Sequence, residues 1–256
     1  MSRLSELESF CRLLLLSSVA IWIISAFYKD KLPPPAFYDQ QLLGAPIQEK
    51  THREPFVIHT NEQTYRIKPL FNYHLNGVVV TYSNADGFGN IWHHRRWHDF
   101  INIRDLCVIW GDNVRSGVYR KMNFSSDSWT CWYGWKDHDT GKSFHSEQLS
   151  NNHLLVDTRW LKRRLLEAEP GDQIQFSGLL VEYENPAHGF KRGTSVVRND
   201  SGNGACETVF LDSFTVIKKA NPGWRFLYFW SKWISLISLL AVIVLLFIAP
   251  VRKSRH

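Results

Sequence analysis

Residues 157–183 read DTRWLKRRLLEAEPGDQIQFSGLLVEY, and the change of period inside this stretch decides the fold. Up to residue 169, Trp160, Leu161, Leu165 and Ala168 recur at helical spacing, which leaves Arg159, Lys162, Arg163 and Glu167 for the wet side. Asp157 is placed to cap the first turn, and Pro170-Gly171 stops the helix. From Asp172 the period shortens to two. Ile174, Phe176 and Gly178 share one face, and beyond the glycine Leu179, Val181 and Tyr183 take the other, so Gly178 marks a bend or bulge in a long strand.

Working outward, the neighbouring segments are strands as well. Residues 65–67 and 75–82 (LNGVVVTY) are rich in β-branched side chains, 106–110 (LCVIW) is a short buried run ended by Gly111-Asp112-Asn113, and 130–135 alternates around Cys131. Residues 207–217 (ETVFLDSFTVI) close the series. The segment 113–152 is too long for a turn and reads as an insertion between strands. Early strands, one helix, a glycine-bent strand, a long loop and a final strand form an order that resembles the OB-fold, a mainly β Greek-key barrel. The resemblance covers residues 65–217 and rests on the order of elements, with no catalytic signature; a twisted antiparallel sandwich is the competing architecture. It implies a ligand lying along one sheet face, flanked by the loops between the first two and the last two strands.

Both flanks of this domain are apolar. Residues 13–28 (LLLLSSVAIWIISAFY) and 233–251 (WISLISLLAVIVLLFIAPV) carry no charge, and about 20 apolar residues are what a helix needs to cross a bilayer. The expected layout is a short tail (1–12), a transmembrane helix (13–28), a proline-containing linker and extension (29–64), the domain (65–217), an aromatic membrane-proximal segment (218–232), a second transmembrane helix (233–251) and a basic tail (252–256). Residues 3–24 would also suit a signal peptide, but Ser25-Ala26-Phe27 is no A-x-A-like cleavage site and Pro33-Pro34-Pro35 reads as a stiff spacer. Trp224, Phe226, Tyr228, Phe229, Trp230 and Trp233 crowd the leading end of the second span, as interfacial rings do, and Arg252-Lys253-Ser254-Arg255 follows its trailing end. A large connection translocates regardless of its own charge, so the terminal basic run places both termini in the cytoplasm and the domain outside the inner membrane.

The net charge of +6 invites a nucleic-acid reading, with Trp92, Arg95, Arg96 and Trp97 as a stacking platform above a basic groove. A domain on the outer side of a membrane meets little nucleic acid, however, and anionic lipid headgroups, envelope polymers or a membrane-protein partner fit the same charge. The polar loop 185–205 (NPAHGFKRGTSVVRNDSGNGA) supplies the candidate ligand-binding residues Lys191, Arg192, Arg198 and Asn203, where guanidinium groups stand among glycine amides. A solvated loop without a ligand is the plainer alternative. No phosphate-loop or dinucleotide fingerprint is present, and no cofactor is expected.

His93, His94 and His98 could be offered to a metal, but no H-E-x-x-H pattern joins them and Arg95 and Arg96 would repel a cation. Cys107, Cys131 and Cys206 fall in the domain; with Cys107 in an apolar run, the pair Cys131–Cys206 is the expected disulfide. The sharpest enzymatic alternative makes Cys206 a thiol nucleophile with His153 as its base, or uses the carboxylate of Asp157, in a membrane-tethered hydrolase or thiol enzyme. Nothing in the spacing brings Cys206 to His153, and the polar run Ser150-Asn151-Asn152-His153 is equally a turn whose amides bond their own backbone. The favoured expectation is therefore a non-catalytic, two-span membrane protein whose domain binds a partner protein or an anionic envelope ligand.

Overall fold

The structure is a computed structural model that describes residues 3–85, 87, 95–197, 200 and 206–248. It divides into two compact units. Leu32–Ala220 form the domain, and the helices Arg3–Tyr28 and Pro222–Ile248 form the terminal unit.

Each terminal helix is long and apolar enough to cross a membrane. Both exceed the expected spans: the first starts at Arg3, and the second starts at Pro222 and so absorbs most of the aromatic segment. Proline suits the first turn, where its missing N–H is no loss. The helices pack antiparallel, with Tyr28 stacked on Trp224 at 4.8 Å and Ser235 Oγ donating to Ser18 Oγ at 2.8 Å. Ser18, Ser25, Ser231, Ser235 and Ser238 are all buried along the seam. Small residues with a cross-helix hydrogen bond are what a helix interface in lipid uses, because apolar side chains gain nothing by leaving the lipid tails.

The domain is a mixed α/β structure around an eight-stranded sheet. Its strands are β1 (Ile47–Lys50), β2 (Phe56–Thr60), β3 (Gln63–Asn84), β4 (Asn102–Ile109), β7 (Leu149–Leu155), β8 (Gln173–Asn185), β9 (Phe190–Arg192) and β10 (Cys206–Lys218), while β5 (Met122–Asp127) and β6 (Thr130–Trp135) form a separate hairpin. β3 pairs with β4 on one side and β8 on the other; β4 pairs with β7, β7 runs parallel to β10, and β10 pairs antiparallel with β8. The expected strands at 65–67 and 75–82 are thus one long element, kept continuous by irregularities near Pro69 and Val79 that let it serve two partners. The domain also starts before residue 65: β1 and β2 pair with β3, and Tyr38 and Leu43 are buried.

The helix read from the 157–169 period spans Arg159–Leu166, with Leu161, Leu165 and Ala168 buried. Thr158, not Asp157, caps it, its hydroxyl accepting from Leu161 N; Trp160 points outward at 57% exposure because Leu161, Leu165 and Ala168 already fill the buried stripe. Gly178 sits opposite the β10 irregularity at Leu211–Ser213, where a Cβ would come within 2.2 Å of Phe210 O. Strand β7 was not expected. Its run LSNNHLL lacks the residues strands favour, yet nearly all of it is buried.

Candidate functional site

Alternation along three adjacent strands builds the site. Asp105 and Cys107 on β4 pair with His153 and Asn151 on β7, which pair in turn with Thr208 and Cys206 on β10, so these side chains share one face. The opposite face, carrying Leu106, Val108, Leu154, Val209 and Leu211, belongs to the largest apolar core. The polar face is covered by the β5–β6 hairpin, whose Trp129 holds the turn at a φ of +73°, and by the β9 arm carrying Phe190 and Arg192.

The centre is His153, wholly buried between an acid and a base. Its Nδ1 lies 2.7 Å from Asp105 Oδ1, an approach too bent for a well-formed hydrogen bond but close enough for strong electrostatic attraction. Its Nε2 meets Arg192 Nη2. A guanidinium only donates, so Nε2 must present its lone pair and the proton sits on Nδ1, facing Asp105. Burial lowers the imidazole's proton affinity, opposed by Asp105 and reinforced by Arg192, with a net shift downward that keeps the ring neutral. For Asp105, burial favours the acid, but the adjoining imidazole, hydrogen bonding from Asn102 and the nearby charge of Arg192 hold the carboxyl below its ordinary range. Asn102 Nδ2 donates to Asp105 Oδ1 at 3.0 Å and Trp129 N to Oδ2 at 3.2 Å. Tyr183 OH donates to a second buried carboxylate, Asp99, at 2.7 Å.

Above this network opens a cleft of about 530 Å³ lined by Arg96, Trp97, Trp129, His188, Phe190 and Arg192, with Gly189 and Lys191 completing the wall. Arg192 lies flat over the Trp129 ring at 3.8 Å, and Trp129 meets Trp97 edge-on at 5.5 Å. Among the described residues, no carboxylate lines the cleft.

Two of the expected ligand-binding residues, Lys191 and Arg192, fall on this cleft, while Arg198 and Asn203 lie outside the described residues. The fold does bring Cys206 and His153 onto one face, one strand apart. Cys206 Sγ, however, contacts Asn151 Nδ2 at 3.8 Å and Trp129 O at 4.0 Å, and burial pushes its thiol up. Asp157 is exposed in the turn after β7. His93 and His94 lie outside the described residues; His98 stacks on His188 at 3.6 Å, and no metal-type cluster of His, Cys, Asp and Glu occurs among the described residues.

The expected Cys131–Cys206 disulfide is replaced by Cys107–Cys131, with Cα atoms 5.8 Å apart, and Cys206 is a free thiol. The reason is geometric. Cys107 is buried, as its apolar run implied, but its side chain faces the hairpin that carries Cys131, and a buried half-cystine is as apolar as any core residue. Sequence reasoning also missed Asp105, Asp99, Trp129 and Tyr183; Asp105, inside the run NIRDLCVI, was the available signal, because an acid in a buried strand needs a partner. Comparison with protein-family models, curated proteins and solved structures finds no match to this chain.

Proposed function

We propose that this protein is a membrane-anchored, non-catalytic binding protein whose domain is an OB-type barrel that takes an anionic ligand in the cleft beside Arg192. The pairing order β3–β4–β7–β10–β8 and back to β3, with its one parallel contact between β7 and β10 and a helix between β7 and β8, supports the barrel reading. The observation that carries the function is where the cleft lies. Such barrels bind over the face of their second and third strands between the first and last connections. Here those strands are β4 and β7, the first connection brings Arg96 and Trp97, and the last brings His188 to Arg192.

The membrane frame rests on the two terminal helices. Their antiparallel packing supports both termini on one side, and the Cys107–Cys131 bridge supports an oxidising compartment for the domain, outside the inner membrane. The thiol-enzyme reading has less behind it. A base whose lone pair already accepts from Arg192 cannot take a proton from Cys206, and the thiol's raised proton affinity keeps it un-ionised.

Native mass spectrometry of the full chain in mild detergent tests the proposal. An anionic species bound one-to-one to the wild type and absent from Lys191→Ala/Arg192→Ala supports it; a chain that emerges bare, or whose bound species ignores the double change, overturns it.

A further inference from the structure

Arg192 is a half-buried cation whose donors are mostly unspent. One Nη2 hydrogen goes to the neutral His153, the guanidinium face rests on Trp129, and the buried Nε has no protein acceptor. No carboxylate touches it among the described residues; the nearest charge, Asp105, lies beyond the imidazole and acts on it through space. A half-buried guanidinium with no carboxylate in contact and most of its donors unspent is costly, so this arrangement points to an anion that arrives from outside. Arg96 and Lys191 on the same cleft make no ion pair among the described residues either, Arg96 being over the Trp97 ring at 5.1 Å. Two cations, Arg96 and Arg192, that make no ion pair among the described residues match a dianion better than a single carboxylate, and Arg192 keeps both Nη1 hydrogens for its oxygens.

The cleft is also far larger than a bare anion. Its remaining walls are the rings of Trp97, Trp129, His188 and Phe190, which favour a flat or saturated ring laid against them. Resting on the anion-binding reading above, we infer that the cleft is a site for a phosphomonoester carried on a ring, with Arg192 reading the phosphate and Asp105 and His153 acting as positioning residues for Arg192.

Titration of the detergent-purified full chain, followed by tryptophan fluorescence, separates the possibilities. The probes are glucose 6-phosphate, adenosine monophosphate, inorganic phosphate and glucuronate. The expected result is that at least one ring-borne phosphate binds roughly tenfold or more tighter than inorganic phosphate and glucuronate, one ion-paired hydrogen bond being worth about that factor. Preference between the two ring phosphates identifies sugar or base as the ring. Arg192→Lys should then lose roughly 10- to 100-fold. His153→Gln should lose less, and nothing further when added to Arg192→Lys. Glucuronate bound as tightly as the phosphates sinks the phosphomonoester assignment while leaving anion binding intact, whereas silence with every probe counts against both. Additive losses at His153 and Arg192 overturn the positioning role. The wild-type ranking needs no variant, so misfolding of a substituted chain cannot mask the outcome.

Discussion

Strands β4, β7 and β10 carry two faces that obey opposite rules. On one, Leu106, Val108, Leu154 and Val209 interlock in the main core, where stability depends on volume and scarcely on direction. On the other, Asp105, His153 and Thr208 lie under a hairpin and an arm, equally dry, and every contact depends on which atom donates. The same backbone register serves both, so a one-residue slip would exchange them and bury charge in the core. This difference teaches that the polar face is kept at a cost that only a function or a specific fold would sustain.

The largest expected effect comes from breaking the apolar side. Leu154 is fully buried, and Leu154→Ala should cost about 4 kcal/mol and lower the melting midpoint by about 10 °C, with ligand selectivity retained in whatever fraction stays folded. A midpoint shift no larger than that of His153→Gln would mean the two faces do not differ in kind. Next comes the cover of the polar side. The Cys107–Cys131 bridge closes a sequence separation of 24 residues, so its reduction should cost about 3 kcal/mol and loosen the hairpin that seats Trp129. Fluorescence of the tryptophans should move on reduction before the far-ultraviolet signal does. Simultaneous loss would merge hairpin and sheet into one cooperative unit.

How far each face was legible follows from the same contrast. Periodicity located β6, the Arg159–Leu166 helix and β8, because an apolar stripe announces itself, although the irregularity expected at Gly178 falls on its partner β10 instead. β7 escaped, since asparagine and histidine signal turns when read locally, and only neighbours distant in sequence turn them into buried strand residues. Lys191 and Arg192 stand out by their loop chemistry and both line the cleft, but Asp105 lies just before the apolar run 106–110 and has no periodicity to announce it, and Trp129 has none either. Such a site is assembled by strand register, and register is a property of pairing rather than of any single segment.

The polar face should also respond to pH where the apolar face cannot. His153 faces Asp105 and Arg192, with Asp99 and Tyr183 close by, and its proton affinity is lowered on folding. The unfolded chain therefore binds this proton first, and stability should fall as pH drops below about 6.5, by at most about 1.4 kcal/mol per unit, until the folded ring titrates too. Asp105 shifts the other member of the pair: its carboxylate is favoured on folding, and that contribution is lost only below about pH 4, the ordinary range. Melting curves between pH 5 and 8 should slope more steeply for the wild type than for His153→Gln. Parallel slopes would show that the imidazole does not sit neutral between its two partners.

The smallest effect is the most local. Thr208 Oγ1 donates to Gly193 O at 2.8 Å, and Thr208 N donates to Thr194 Oγ1 at 2.9 Å, so this residue fastens the arm just beyond Arg192 to β10. Thr208→Val keeps the shape and removes one hydroxyl donor, leaving Gly193 O to find water; the cost should be about 1 kcal/mol. Global melting should scarcely register it. Amide exchange should speed up in the arm around Phe190–Arg192 while β4 and β7 stay protected, and anion affinity should weaken by no more than a few-fold. Were exchange to rise instead across β10 and the core strands, the hydroxyl would be holding the sheet rather than the arm, and the division between a core face and a site face would fail at its narrowest point.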